Sequence, residues 1–469
     1  MTPIKFGTDG WRAIIAQEYT VDNVKRVAEG TGRWMIQKGY SKVVIGHDCR
    51  FAGQLFAETT ARVMGALGLK VNLAKGFVST PMVSLGVVKT KSDLGVVITA
   101  SHNPPSYNGF KLKSNFGGPT IPSDIAAVEA LLPDVCNLEL PSLEEMFDEG
   151  LLNYVDLEEI YLDHVKANFD LEMIDKAGIK MAYDAMYGAG QRAVARLFPK
   201  AVLLHCDDDP SFKGQAPEPI HRNLKELSDT IKNDGTIDLG LANDGDADRI
   251  GMYDSDGNFV DSHHLLLLLL YYMFEYKKQT GKVIVTFSVT DKMRKLAAYY
   301  GLDIEVTKIG FKYIAEIMTK EDVLVGGEES GGLAVKGHIP ERDGIWNGLL
   351  IMEFMALTGK SMKELIAEVY AKVGSFNSDR DDLRLKEEQK QAIIAACKND
   401  PYQAFGDYKV QRIETIDGFK FYLSDNEWVM IRPSGTEPVL RVYAEAPTPA
   451  DVRKILDATT ETVLGKVGA

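Results

Sequence analysis

The chain has 469 residues, about three times the ~150 expected of one domain, so several docked domains are expected in place of a single core. Hydrophobic residues at 45% and charged residues at 26% exclude a disordered or collagenous chain. Lysine and arginine number 53 against 67 acidic residues, a formal charge of -14 without a long basic cluster. Nucleic acid and membranes are therefore poor partners, and an anionic substrate must meet positive groups concentrated in a cleft.

Met1 to Gly7 carries no apolar signal core, and Cys49, Cys136, Cys206 and Cys397 lack any paired spacing, which together suggest a reducing, cytoplasmic compartment. Val21, Val24, Val27, Ala28 and Met35 follow helical spacing behind a Thr20 cap, and Lys42 to Ile45 reads as a buried strand. The alternation of helix and strand resumes through Phe56 to Leu67, Leu94 to Ile98, Ile179 to Ala182, Val194 to Phe198, Val202 to Leu204 and Leu239 to Ala242. It returns from Lys282 to Phe287 through Val323 to Val325. This rhythm predicts a mostly parallel sheet with helices on both faces and ligand loops where strands end. The apolar run His263 to Phe274, bounded by Asp261 and Glu275, falls short of the ~20 residues of a membrane span and predicts a buried helix.

Acidic, proline-bearing text from Pro133 to Glu149 and the turn Asp254-Ser255-Asp256-Gly257 mark joints. Beyond Gly374 a charged stretch, Ser378 to Gln391, precedes strands at Phe419 to Leu423, Trp428 to Arg432 and Leu440 to Ala444, then a helix from Ala450. The expected architecture is three related mixed or parallel-sheet α/β domains, 1–150, 151–255 and 256–373, and a C-terminal α+β domain with an antiparallel sheet, 374–469.

Four loops carry chemistry. Thr99-Ala100-Ser101-His102-Asn103-Pro104-Pro105 follows the strand at Leu94 and leads to Lys111; Ser101 suits a nucleophile or phosphate carrier, with His102 and Lys111 for polarisation or proton transfer. A turn set by the two prolines, with an incidental serine, explains the same string. Asp244-Gly245-Asp246-Ala247-Asp248-Arg249 places three carboxylates at alternate positions, a set for a hard cation such as magnesium. An EF-hand is disfavoured because Arg249 and Ser255 stand where it needs glycine and glutamate; an acidic surface turn is the bland alternative. Gly326-Gly327-Glu328-Glu329-Ser330-Gly331-Gly332 offers groups for sugar hydroxyls, or is simply a glycine-rich turn. Arg432-Pro433-Ser434-Gly435-Thr436 offers a guanidinium, two hydroxyls and freed amides, an anion cradle or an ordinary β-turn. A fifth string, Gly188-Ala189-Gly190-Gln191-Arg192-Ala193, with Asp207 to Asp209 some 20 positions on, imitates a dinucleotide fingerprint. A helix start packed closely on a sheet explains its glycines without a cofactor.

Taken together, the four loops in this order, with Phe6-Gly7-Thr8-Asp9-Gly10-Trp11-Arg12 near the start, resemble the α-D-phosphohexomutases, the phosphoglucomutase and phosphomannomutase family, across essentially the whole chain. The resemblance implies a heart-shaped, four-domain enzyme with one loop per domain around a central cleft. It implies that Ser101 carries a phosphoryl group and that Asp244, Asp246 and Asp248 hold Mg2+ against that phosphate. It implies that Glu328 and Ser330 bind sugar hydroxyls and that Arg432, Ser434, Gly435 and Thr436 bind the substrate phosphate. Arg12 and Lys111 correspond to a further functional arginine and a general acid or base, and Arg249 to a charge-neutralising group. Lys312, in Thr307-Lys308-Ile309-Gly310-Phe311-Lys312, resembles another substrate contact.

The implied reaction passes a phosphoryl group from Ser101 to a hexose monophosphate, reverses the hexose 1,6-bisphosphate end for end, and returns the other phosphate to Ser101. Two departures limit this: Gly332 and Phe311 stand where some members have histidine. The Glu-Glu-Ser form leans toward glucose and mannose phosphates over glucosamine phosphate. A phosphoglucosamine mutase is the nearer alternative, a nucleotide-linked oxidoreductase or a non-catalytic binder the more remote ones. Whether the chain is a monomer or a homodimer is open.

Overall fold

The structure, a computed structural model, describes residues 3–7, 9–433 and 439–467. They form two compact units, Met1–Lys282 with Gly310–Leu365, and Val283–Ile309 with Ile366–Ala469.

In the first unit a six-stranded sheet runs in the order Trp11–Ile14, Tyr107–Ser114, Leu94–Ile98, Lys42–His47, Lys70–Ala74, Leu152–Val155. The last four are mutually parallel and the first two antiparallel to their neighbours. Val43, Ile45, Val96 and Ile98 are fully buried, as the apolar runs predicted for strands covered on both faces. Thr20 caps the helix Val21–Gln37 by accepting from Asn23 N. A second sheet has the order Phe259–Val260, Ile250–Tyr253, Leu239–Asn243, Met181–Asp184, Val202–Leu204, parallel except where Ile250–Tyr253 meets its neighbours. The strand Val323–Gly327 pairs antiparallel with Leu333–Val335.

The three chemistry-bearing loops of this unit share one construction. Each leaves the end of a buried strand and returns as an antiparallel strand, Leu94–Ile98 to Tyr107–Ser114, Leu239–Asn243 to Ile250–Tyr253, and Val323–Gly327 to Leu333–Val335. Helices were expected to follow such strands; the tight reversal instead sets functional side chains on the return strand. Tyr107–Ser114 escaped the sequence reading because Lys111 and Lys113 alternate with Phe110 and Leu112, yet all four are buried. The apolar run forms the helix Ser262–Tyr271, capped by Asp261, with one π-helical turn, Tyr272–Tyr276, after it. Among the described residues no helix is long and apolar enough to cross a membrane.

In the second unit residues 283–286 of the strand Lys282–Thr286 pair parallel with Ile304–Thr307. A five-stranded antiparallel sheet follows the order Asn377–Arg384, Val439–Ala446, Glu427–Pro433, Phe419–Ser424, Arg412–Glu414. Phe421, Val429, Ile431, Leu440 and Val442 pack with Ile393 of the helix Glu387–Asn399 and Ile455 of Pro449–Val467. The charged stretch from Ser378 thus contains an edge strand, Asn377–Arg384, whose alternating charges face partly into solvent.

Candidate active site

Ser101 sits with φ +53°, in the left-handed region a serine rarely adopts. Its N–H donates to Thr99 Oγ1 at 2.9 Å, and Thr99 donates in turn to Asp48 Oδ2 at 2.5 Å. The Ser101 hydroxyl donates to Asp244 Oδ2 at 2.7 Å, which joins the serine loop directly to the aspartate loop. His102 Nδ1 lies 3.4 Å from Ser101 Oγ; burial, then Arg249 and Arg12, push the imidazole well below its usual range, so it is neutral. Arg12 donates to Asn103 Oδ1 at 2.6 Å. Gly109 is required here: a Cβ would lie 2.4 Å from Thr99 O.

Asp244, Asp246 and Asp248 are fully buried, and each offers a carboxylate oxygen within 4.8 Å of the others'. Burial and then its two neighbours raise Asp244 well above the carboxylate range. Asp246 is held below that range against its burial, by Lys111 and by the hydroxyl of Thr80. Asp246 Oδ1 and Asp248 Oδ1 are buried without hydrogen-bond partners, and three convergent carboxylate oxygens supply part of the oxygen shell of a hard divalent cation. The residues therefore fit a divalent metal ion.

Lys111, fully buried, reaches Asp246 Oδ2 at 2.8 Å, Asp9 Oδ2 at 3.0 Å and Asp248 Oδ2 at 3.3 Å. Although burial opposes its charge, these carboxylates raise its pKa, so it is an ammonium. The Arg249 N–H donates to Asp244 Oδ1 at 3.0 Å. Its backbone bridges Gly332, which fastens the aspartate loop to the glycine-rich loop.

Glu328 is buried and accepts from Gly310 N at 2.9 Å; burial, only partly offset by Arg342, pushes its carboxyl up to about 7. Ser330 is half-buried in the same turn. Lys312, at the start of the helix Phe311–Met318, lines a cavity of about 200 Å³ that also touches Asp9 and Gly10. Arg432, next to last in the strand Glu427–Pro433 of the second unit, pairs with Asp417 Oδ2 at 3.3 Å. Ser434, Gly435 and Thr436 lie outside the described residues.

Sequence reasoning missed Asp9, Thr80, Arg50 and Arg342. Arg342 Nη2 pairs with Asp248 Oδ2 at 2.8 Å and with Asp9, and its guanidinium carbon lies 5.3 Å from the Phe311 ring centroid. A Cβ on Gly332 would lie 2.5 Å from Arg342 Cδ. The two departures noted in the sequence, Gly332 and Phe311, thus both face Arg342, which fills the space a larger residue at 332 would need. Lys113, fully buried, donates to Glu341 Oε2 at 2.6 Å. Only Asp9 had a signal, its place in the Phe6 to Arg12 motif. The dinucleotide-like glycines are packing: a Cβ on Gly188 would lie 2.7 Å from Asp244 O and one on Gly190 2.3 Å from Tyr183 Oη.

Four family models match in chain order, described as phosphoglucomutase/phosphomannomutase alpha/beta/alpha domain I at residues 3–135, domain II at 159–257, domain III at 261–373 and the C-terminal domain at 380–462. The chain is 31% identical over 473 residues to a probable phosphoglucosamine mutase of Methanosphaera stadtmanae, covering 98% of each. It is 29% identical over 460 residues to a phosphoglucomutase/phosphomannomutase of Thermococcus kodakarensis, covering 96% of each. The crystal structure of a putative phosphomannomutase from Thermus thermophilus superposes with a TM-score of 0.87 at 34% identity, over 98% of this chain and 99% of that one. Such coverage, with a serine and an aspartate loop joined by a hydrogen bond, leaves one conclusion about class: the chain belongs to the α-D-phosphohexomutase family, whose members are intramolecular phosphotransferases.

Proposed function

We propose that the chain interconverts hexose 1-phosphate and hexose 6-phosphate, with glucose or mannose as the sugar, through phosphorylated Ser101 and a hexose 1,6-bisphosphate. The observation that carries this is the 2.7 Å bond between the Ser101 hydroxyl and Asp244, beside a buried ammonium at Lys111. A sugar hydroxyl oxygen forms a bond to phosphorus as the bond to Ser101 Oγ breaks. Neutral His102 accepts the hydroxyl proton, and Lys111, held charged, donates to the departing Oγ. After reversal of the bisphosphate the same steps run backwards at the other end. Arg12 and Arg249 offset phosphoryl charge. Mg2+ held by Asp244, Asp246, Asp248 and the Ser101 phosphate would supply further charge neutralisation. Glu328 and Ser330 bind sugar hydroxyls, Lys312 makes a further substrate contact, and Arg432, Ser434, Gly435 and Thr436 bind the substrate's own phosphate. The functional domains are 1–150, 151–255, 256–373 and 374–469, and four free cysteines suit a cytoplasmic setting.

A second reading, glucosamine phosphate as substrate, is favoured by the name of the Methanosphaera relative. Coupled assays with glucose, mannose and glucosamine 1-phosphates decide between them by rank of kcat/KM. Intact-mass measurement of the native chain is expected to find one phosphate adduct mapping to Ser101. Ser101→Ala should lose the adduct and about 10⁴-fold or more in turnover while keeping its melting temperature. An active chain whose phosphate maps elsewhere ends the proposal.

A further inference from the structure

Arg50 lies 51 residues before the serine, and its side chain is fully buried. Its Nη1 donates to Pro104 O at 2.9 Å and Tyr107 O at 3.0 Å, and its Nη2 to Ser101 O and Asn103 O, both at 2.6 Å. Its Nε faces Asp48 Oδ2 at 3.3 Å, an ion pair too bent for a hydrogen bond. One guanidinium therefore gathers four carbonyls of the loop that carries the serine. Carbonyls of a surface loop ordinarily turn to water. Pro104 and Pro105 can donate no backbone hydrogen bond of their own, and the loop's own backbone bonds, Asn103 N to Ala100 O and Tyr107 N to Pro104 O, both 3.0 Å, leave the Ser101 and Asn103 carbonyls to the guanidinium. The same Asp48 that faces Arg50 accepts from Thr99, which accepts from Ser101 N, so both backbone groups of Ser101 are tied to one Asp48–Arg50 pair. The far side of the guanidinium faces the Phe212 ring, 5.0 Å from its centroid. Phe212 belongs to the connection after Val202–Leu204 in the second sheet, so that sheet's chain closes over the clamp.

We propose that Arg50 is a positioning residue for phosphoryl transfer: by drawing the Ser101 carbonyl inward it holds the left-handed serine conformation that presents Oγ to Asp244. The proposal rests on Ser101 being the phosphate carrier. Arg50 touches no reacting atom. A lysine cannot replace it, because one ammonium with three donors cannot span four carbonyls held by a planar fork. Losing the clamp lets Oγ drift, and misplacement of about 1 Å in a transfer that depends on alignment costs about 100-fold.

The test compares native chain, Arg50→Lys and Phe212→Leu, each with bound magnesium. Three quantities are read: the melting temperature, kcat and KM with the best hexose 1-phosphate, and the rate at which dephosphorylated enzyme gains phosphate at Ser101 from glucose 1,6-bisphosphate. Arg50→Lys is expected to keep KM within about threefold while kcat and the Ser101 phosphorylation rate fall together by about 100-fold. Phe212→Leu should lower both by about fivefold, again without moving KM. Arg50→Lys with native kcat, or with a raised KM and unchanged kcat, overturns the proposal. If Arg50→Lys does not fold, Phe212→Leu decides by the same split. A native chain that gains no phosphate at Ser101 rejects the carrier reading itself, whereas native phosphorylation retained in both variants rejects only the clamp.

Discussion

Burial dominates the titration of Glu328. Its carboxyl, out of water and only partly compensated by Arg342, is pushed up to about 7. In the unfolded chain the same group titrates near the ordinary value of 4.5. Between those two values the folded state binds more protons, so this group lowers the stability of the fold as pH rises from about 4.5 to about 7, and nothing further changes above that. Glu328→Gln keeps an oxygen for Gly310 N and removes the titration. Denaturant unfolding should show the variant level with the native chain near pH 4.5 and more stable at pH 8, by at most about 3 kcal/mol. A constant difference across that range would mean that Glu328 is ionised throughout. Arg342 belongs to the same scale: one side chain pairs with Asp9 and Asp248 and fills the space above Gly332.

The elements explain how the site is assembled. Three strand–loop–strand reversals deliver the serine, the aspartates and the Glu328 loop from the ends of buried strands, and their return strands carry Lys111 and the residues after Arg249. The helix Gln191–Leu197 packs against the aspartate loop through Gly188 and Gly190. Gly190→Ala is expected to destabilise the chain by about 1–3 kcal/mol, because Tyr183 must give up its bond to Asn243 or the helix must move. Thermal unfolding measures this. A neutral substitution would mean the helix start is loosely packed and would reopen a nucleotide-binding role for those glycines.

At the scale of the molecule, a chain of net charge -14 concentrates Arg12, Lys111, Lys113, Arg249 and Arg342 among buried carboxylates in the unit Met1–Lys282 with Gly310–Leu365. Among the carboxylates of Asp244, Asp246 and Asp248, the last two each keep a buried oxygen without a partner, so a divalent ion should stabilise the native state over the unfolded one. Mg2+ at about 100 times its dissociation constant is expected to raise the melting temperature by about 3–5 °C. Chelation should reverse that shift and abolish turnover. Asp246→Asn should show neither response; a magnesium shift that survives in this variant would place the ion elsewhere.

Much of this was legible in the sequence. The apolar runs at Val43, Val96 and Leu241 read as buried strands because a strand covered on both faces has no polar phase to confuse the pattern. The aspartate loop stood out because surface turns rarely set three aspartates directly behind a buried strand, whereas the serine and glycine-rich loops, each explicable alone as a turn, gained meaning only from their order in the chain. Tertiary structure alone decided the rest. Lys111 read as a candidate acid or base and Lys113 drew no reading, since a sequence cannot show that Asp9, Asp246 and Glu341 neutralise the two ammonium groups inside. Arg50 and Arg342 were invisible for the same reason: their partners lie 51 to 333 residues away, and only the folded chain brings a guanidinium to four carbonyls of one loop or to carboxylates of two others. Local spacing reports which residues share a face; long-range charge pairing, which fixes the reactive geometry, exists only after the chain has closed.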